Sequence, residues 1–331
     1  MTKRTTVYDI AHELGISPST VSRVLNNSSL ISDEKRELII STAERMGYCK
    51  RSIKRQKNRT IVTIRLFLPP AKYSYIHLFY DVAELIEGIQ KGFDNTKVNI
   101  IISVNDGDLT LFDSKKLGDI DGCIFAFTMP SAPLETMLEE REIPFVLLNR
   151  EDPENNYVMV DSIGGMQKLV KAMWNKYGDA LHPCFIGFSP LSAVSKRREE
   201  GVRTGCLSYS IPFCDEDVFN IDSIGELKEK VLPIILERGY NAVFCFNDLL
   251  AVSLYQSALN LSLAIPESFS LSGFDNSPML DLLDKRINTI EFSLRKLGVE
   301  AGLWLQGKII ERIELPLQKN LEGTYIPGGT I

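Results

Sequence analysis

Residues 19–23 read Ser-Thr-Val-Ser-Arg, so Ser19, Thr20, Ser22 and Arg23 bring three hydroxyls and one guanidinium together with no carboxylate among them. Such groups donate to phosphate oxygens and read base edges, and an arginine can grip guanine O6 and N7 with two parallel bonds. A second polar set is scattered further along. Asn149-Arg150, Asp161, Ser189, Asn247-Asp248 and Asp275-Asn276 each stand immediately after a short apolar run. Amides, carboxylates and a guanidinium converging from several sides would hydrogen-bond a polyhydroxylated molecule. For any single one the alternative is a helix N-cap, which suits Asp248 ahead of the pattern LLAVSLYQSAL.

The arrangements that would make an enzyme are not found. None of the histidines, His12, His77 and His182, has partners at metal-ligand spacing. There is no G-x-S-x-G, Walker loop or G-x-G-x-x-G, and Gly164-Gly165 alone reads as an aid to helix packing. Nothing nominates a nucleophile with a base beside it. The expectation is no enzyme, no metal and no cofactor. The six cysteines (49, 123, 184, 206, 214 and 245) contain no C-x-x-C pair. Cys123, Cys184 and Cys245 lie inside apolar runs, as buried free thiols of a cytoplasmic protein would. Lys196-Arg197-Arg198 could serve a phosphate, but adjacent helix residues diverge, so one of the three is expected to face a cleft.

The elements that must carry the first set lie within the first sixty residues. Val7, Ile10, Ala11 and Leu14 fall at i, i+3, i+4 and i+7, one stripe of a helix that Thr5 or Thr6 can cap. Gly15 suits its end. Ser17 then caps a second helix with Pro18 at its first position, where no hydrogen bond is lost. Val21, Val24 and Leu25 form its buried face, and Asn26-Asn27 end it. A third helix starts at Ser32, with Leu38, Ile39, Thr42, Ala43 and Met46 inward and Gly47 closing it. Two short helices on a tight turn plus a third make a helix-turn-helix or an ordinary three-helix bundle. The carboxylate-free outer face of the second helix favours the former.

The second set belongs to a different architecture. Apolar runs recur at 61–70, 98–104, 122–127, 144–149, 157–160, 184–188, 242–246 and 269–274, with helical patterns at 79–94, 134–141, 163–177, 193–210, 224–238 and 248–260. Buried strands alternating with helices predict α/β units with parallel sheets, whose ligands bind outside the carboxyl ends of the strands.

Charge divides along the same line. Residues 1–60 hold 12 Lys and Arg against 6 Asp and Glu, while the whole 331-residue chain carries a net charge of −6. A basic head on an acidic body suggests a polyanion-binding module joined to a domain with another task. No apolar run is long enough to span a bilayer, and the N-terminus lacks the apolar core of a signal peptide, so a cytoplasmic location with no membrane partner is expected.

The head, TVYDIAHELGISPSTVSRVLNN followed by ISDEKRELIISTAERMGY, resembles that of the LacI–GalR family of bacterial repressors, with TVSRVLN its most diagnostic string. FNDLLA (246–251), PESFSLSGFDNSP (266–278) and the step from Arg198 to Gly201 extend the resemblance. It implies a helix-turn-helix domain over 1–48, a linker over 49–60 and a ligand-sensing domain over 61–331. That domain would resemble two-lobed periplasmic sugar-binding proteins, with one lobe near 61–160 and 292–321 and the other near 161–291 and 322–331. The implied recognition helix runs from Pro18 to Asn26, with Pro18 and Ser19 at the positions that vary operator choice. The expected DNA-facing set is Thr6, Ser17, Pro18, Ser19, Thr20, Ser22, Arg23, Asn26, Tyr48, Arg51 and Ile53. The implied effector contacts are Arg198, Asn247 and Asp275, then Asn149 and Asp161, with Phe79 and Tyr80 of HLFY (77–80) as an apolar wall. His77-Leu78 replaces the family's Asn-Pro there.

The linker departs from the family. CKRSIKRQKNRT (49–60) is half Lys and Arg, and Lys50, Lys54 and Lys57 occupy the places of the proline, alanine and leucine of a minor-groove hinge helix. Two readings stand: a solvated basic linker, or a hinge with Ile53 as its wedge. The function implied is an allosteric, homodimeric repressor of a carbohydrate-utilisation operon, released from operator DNA by a sugar of galactose type. A purine or a phosphoprotein partner is the alternative signal. A sugar receptor without a DNA role is the alternative class; it requires a signal peptide and no basic head. The sequence ends on TYIPGGTI, so a tetramer-forming leucine repeat is not expected.

Overall fold

In the computed structural model, residues 7–25, 33–46, 61–70, 81–94, 96–105, 120–313 and 315–331 are described. The chain divides into two units, residues 1–60 with 131–144, and residues 61–130 with 145–331.

In the first unit, helices α1 (Val7–Leu14), α2 (Pro18–Leu25) and α3 (Asp33–Arg45) close around Ile10, Ala11, Val21, Val24, Ile39 and Ala43, with Leu14 and Met46 packed at the edge. The turn between α1 and α2 is built from its sequence. Gly15 takes φ +62, and the Ile16 amide reaches back to the Ala11 carbonyl at 3.0 Å. That pair satisfies carbonyls that the helix end would leave open. Ser17 Oγ accepts from the Thr20 amide at 3.2 Å, and Pro18 opens α2 as expected. Leu38 corrects the expected stripe of α3, being 55% exposed. Ile39, Thr42, Ala43 and Met46 already fall at i, i+3, i+4 and i+7, so residue 38 sits roughly 100° off that face. The caps expected at Thr5 or Thr6 and at Ser32, and the closing Gly47, lie outside the described residues.

The second unit opens with β1 (Ile61–Leu68), α4 (Val82–Gly92), β2 (Lys97–Val104) and β3 (Gly122–Ala126). Helix α5 (Ala132–Glu140), grouped with the first unit, precedes β4 (Phe145–Leu148), β5 (Tyr157–Val160) and α6 (Ser162–Tyr177). There follow β6 (Pro183–Phe188), α7 (Ser192–Ser208), β7 (Val218–Ile221), α8 (Leu232–Arg238), β8 (Ala242–Cys245), α9 (Asp248–Asn260) and β9 (Ser270–Ser272). The chain ends with β10 (Thr289–Glu291), α10 (Leu294–Gln306), β11 (Gln318–Leu321) and β12 (Thr324–Ile326).

Two parallel sheets result, ordered β11-β5-β4-β3-β1-β2 and β7-β6-β8-β9. Strands β3, β4, β6 and β8 are buried throughout, which is why they read as unbroken apolar runs, and β9 is buried as well although two of its three residues are serines. The strands that periodicity did not announce, β7, β10, β11 and β12, have three or four residues each, and the helix α10, with its apolar stripe of Leu294, Leu297, Ala301 and Leu305, was not singled out either. Edge strand β11 is QKNL and mostly exposed, so it carries no apolar signature. The helix expected over 224–238 is regular only from Leu232 to Arg238, after a wider turn over Leu227–Val231.

The chain passes between the sheets three times: after β5, through β10 into α10, and from β11 into β12. Strands β10 and β12 pair antiparallel with each other at two of these passages. Helix α10 lies directly on α4. A Cβ on Gly302 would stand 2.5 Å from the Ile89 carbonyl oxygen, and one on Gly92 2.5 Å from that of Val299, so the two backbones touch where side chains would hold them apart.

Candidate functional site

Each sheet reverses its order once, between β1 and β3 and between β6 and β8, and at such a switch point the loops diverge and leave a crevice. A cleft lies beyond the carboxyl ends of both sheets. Pro69, Phe127, Asn149 and Arg150 reach it from β1, β3 and β4. Leu191, Val194, Arg198, Phe246, Asn247 and Asp275 reach it from β6, β8 and β9, and Phe292 from the passage after β10.

Arg198 is the centre of the polar side. It stands on α7, three residues before Gly201, whose missing side chain lets α7 approach the Ile163 backbone of α6. Its Nη1 donates to the Phe246 carbonyl at 2.5 Å and its Nη2 to Asp275 Oδ1 at 2.7 Å. The guanidinium lies 4.7 Å from the Phe246 ring centre and 3.9 Å from that of Phe274. Two aromatic faces therefore clamp a planar cation that is 3% exposed, and they help offset its loss of water. Its Nε is buried without a hydrogen-bond partner.

Burial pushes Asp275 up to about 6, opposed by the Arg198 charge and hydrogen bond and by a side-chain hydrogen bond from Asn247. Behind it Asp248, buried, is pushed up to about 8 by burial and then by the Asp275 charge. The loops around the cleft are strained. Phe127 (φ 61), Asn149 (φ 53), Asp275 (φ 106) and Asn276 (φ 55) all hold positive φ without being glycine. Such conformations cost of order 1–3 kcal/mol each and persist where the surroundings impose them, often at ligand sites. At Asn149 the imposing bonds are its amide to the Val158 carbonyl at 2.9 Å and its carbonyl from Arg150 Nη1 at 2.6 Å.

Of the residues expected to meet a ligand, Asn149, Arg198, Asn247 and Asp275 come together. Asp161 is not among the residues that line the cleft. It follows the carboxyl end of β5, parallel to β4, and its Oδ1 accepts from the Gly164 amide at 2.9 Å, capping α6. The cap of α9 is likewise Asn247, whose Oδ1 accepts from the Leu250 amide at 3.1 Å, not Asp248. Asn276 turns aside to Glu291 and Arg286. Ser189 opens a short 3-10 turn and does not line the cleft. Phe79 and Tyr80 lie outside the described residues. The apolar wall consists instead of Phe127, Leu191, Val194, Phe246 and Phe292, none singled out from the sequence. Phe127 and Phe246 are the last letters of GCIFAF and AVFCF, and a rule that reads the end of each run as well as the residue after it would have found them.

In the head, Ser17 is exposed, and its Oγ meets Thr20 Oγ1 at 2.8 Å. Pro18 and Thr20 are half-buried. The backbone of Ser19, Ser22 and Arg23 lies on α2. Thr6, Asn26, Tyr48, Arg51 and Ile53 lie outside the described residues, as does the whole linker over 49–60. Among the described residues no helix is long and apolar enough to cross a membrane, and no group of His, Cys, Asp and Glu could hold a metal.

Two stretches of the chain match known families. Residues 6–50 match the model of bacterial regulatory proteins of the lacI family, and residues 182–331 match a periplasmic binding protein-like domain. The HTH-type transcriptional regulator DegA of Bacillus subtilis (strain 168) is 26% identical, over 90% of this chain and 89% of its own. Among solved structures, a complex of the transcriptional regulator CelR with cellobiose superposes with a TM-score of 0.69 at 19% identity, covering 99% of this chain and 100% of the other. A lac repressor dimer bound to operator and the anti-inducer ONPF superposes with a TM-score of 0.66 at 16% identity, over 99% of each chain.

Proposed function

From the premise that this chain belongs to the lacI family and is a DNA-binding transcriptional regulator, we propose that it represses a carbohydrate-utilisation operon in the cytoplasm and releases its operator when a small sugar enters the cleft. One observation carries the reading. A clamped Arg198–Asp275 pair, joined by Asn247, stands opposite Asn149 in a cleft walled by Phe127, Phe246 and Phe292. Charged and amide groups in fixed places suit vicinal hydroxyls. Aromatic faces suit the C–H faces of a pyranose. The likeness in fold to a regulator solved as a complex with cellobiose supports a sugar as the ligand. D-Galactose is the first effector to try.

The protein acts as a homodimer, one head per half-site of a pseudo-palindromic operator, in the manner of the operator-bound lac repressor dimer. The DNA-reading side chains are those of α2 around Ser17, Pro18, Ser19, Thr20, Ser22 and Arg23, with Thr6, Asn26, Tyr48, Arg51 and Ile53 on the flanks. Linkage requires the sugar to bind the DNA-free and DNA-bound forms with different affinity. The test is operator affinity during titration with galactosides, glucosides, cellobiose and purines. A sugar that weakens binding supports the reading. A response to purines alone, or to none of them, overturns it.

A further inference from the structure

Asp248 lies behind the effector cleft, outside its lining, and is 1% exposed. A buried carboxylate needs an occupation. Its Oδ2 accepts from the Ser277 amide at 2.6 Å, and its Oδ1 from the Thr289 hydroxyl at 2.7 Å. Ser277 ends the loop that carries Asp275. Thr289 begins β10, which runs into α10 and on to the six-stranded sheet. One carboxylate therefore bridges the loop that holds the arginine-clamped acid and a strand that passes between the sheets.

Other bonds run alongside. The Asp248 amide donates to the Phe274 carbonyl at 2.9 Å, and the Asp275 amide donates to the Ile290 carbonyl at 2.9 Å. The Asn276 amide donates to Thr289 Oγ1 at 3.3 Å, so that oxygen is shared by the loop and by Asp248. A Cβ on Gly273 would stand 2.2 Å from Asp248 Oδ1, so the loop's first residue must be glycine for the carboxylate to fit. Strand β10 in turn pairs with β12, which reaches a second passage.

We infer that Asp248 is a positioning residue for allostery, a strut that locks the Asp275 loop to β10 so that displacement of Asp275 by an effector moves the passage between the sheets. The inference rests on the cleft being the effector site. The strut itself is testable without any effector.

Amide hydrogen exchange in the full-length protein reads it directly. Asp248→Ala and Thr289→Val should each speed exchange in both 273–277 and 288–293, by about tenfold or more, and leave β8 unchanged. Asp248→Asn should restore slow exchange, since its Oδ1 can accept from Ser277 while its Nδ2 donates to Thr289. Thr289→Val keeps the shape of the side chain and so guards against a merely misfolded alanine variant. Faster exchange confined to 273–277, silence of that loop in Thr289→Val, or a uniform rise that includes β8 would overturn the strut. Operator release by D-galactose and cellobiose is measured on the same proteins. Release from the wild type but not from Thr289→Val supports the strut, and equal release from both overturns it. If neither sugar acts on the wild type, the effector reading fails while the exchange result still decides the strut.

Discussion

At the residue scale the site depends on one cation. Arg198→Ala removes the partner of a buried carboxylate and empties the space between two rings. Effector affinity should fall at least about 30-fold, the equivalent of roughly 2 kcal/mol for a charge-assisted hydrogen bond removed from a buried site. Operator binding in the absence of sugar should remain. Arg198→Lys should not restore the response, because a point ammonium cannot serve Phe246, Asp275 and two aromatic faces together. Isothermal titration with the active sugar, beside an operator-binding assay, checks both variants.

The same residues set a pH dependence. Burial raises Asp275 to about 6 and Asp248 to about 8, whereas both would titrate near about 3.9 in the unfolded chain. Between about pH 4 and 8 the folded protein holds more protons than the unfolded chain. Their contribution is therefore fully present below about pH 4 and lost as pH rises through the folded values. Arg198, facing Asp275, moderates the loss at that residue. Thermal unfolding at pH 5 and pH 8 should show a smaller difference in Asp248→Asn than in the wild type. An unchanged difference would mean that Asp248 is ionised throughout.

At the element scale two junctions bear tests. The Ser17 cap holds the first turn of α2, so Ser17→Ala should cost the head about 1 kcal/mol, read as a shift in its unfolding. Ser17→Asp should recover most of that stability while placing a negative charge where DNA is expected, so operator affinity should not recover with it. The α4–α10 contact is made backbone to backbone. Gly302→Ala must push the helices apart, with an expected loss of about 1–3 kcal/mol in denaturant unfolding. An unchanged midpoint would show that the helices slide freely. The helix pattern expected over 79–94 was legible in its apolar stripe, but its partner was not. Leu85 and Ile89 read as apolar whether they face a sheet, another helix or a second protomer, and the structure gives them to the core against α10.

At the scale of the whole molecule the charge division is the guide. If the basic stretch over 49–60 touches phosphates, operator affinity should fall steeply with salt, by a log–log slope of about 0.9 per phosphate bound. Replacing Lys54, Arg55 and Lys57 with glutamine should flatten the slope. A slope already shallow in the wild type would remove the linker from the interface. The body, being acidic, should contribute nothing to that slope.

The sequence by itself determined the local things: which runs are strands, where α1 ends at Gly15 and α2 begins at Pro18, and that polar residues follow apolar runs. Helix ends and buried strands are fixed by neighbours a few positions away, so a linear reading suffices. Tertiary structure alone decided which of those polar residues meet. Asp161 and Asn247 look alike in the chain, each a polar residue after a buried strand and before a helix. Both cap that helix, but only Asn247 stands at a switch point where the loops part. The aromatic wall, the clamp on Arg198 and the bridge from Asp248 to Thr289 join residues far apart in sequence. Pairings of that kind arise from the order of strands in the sheets, which no local pattern encodes.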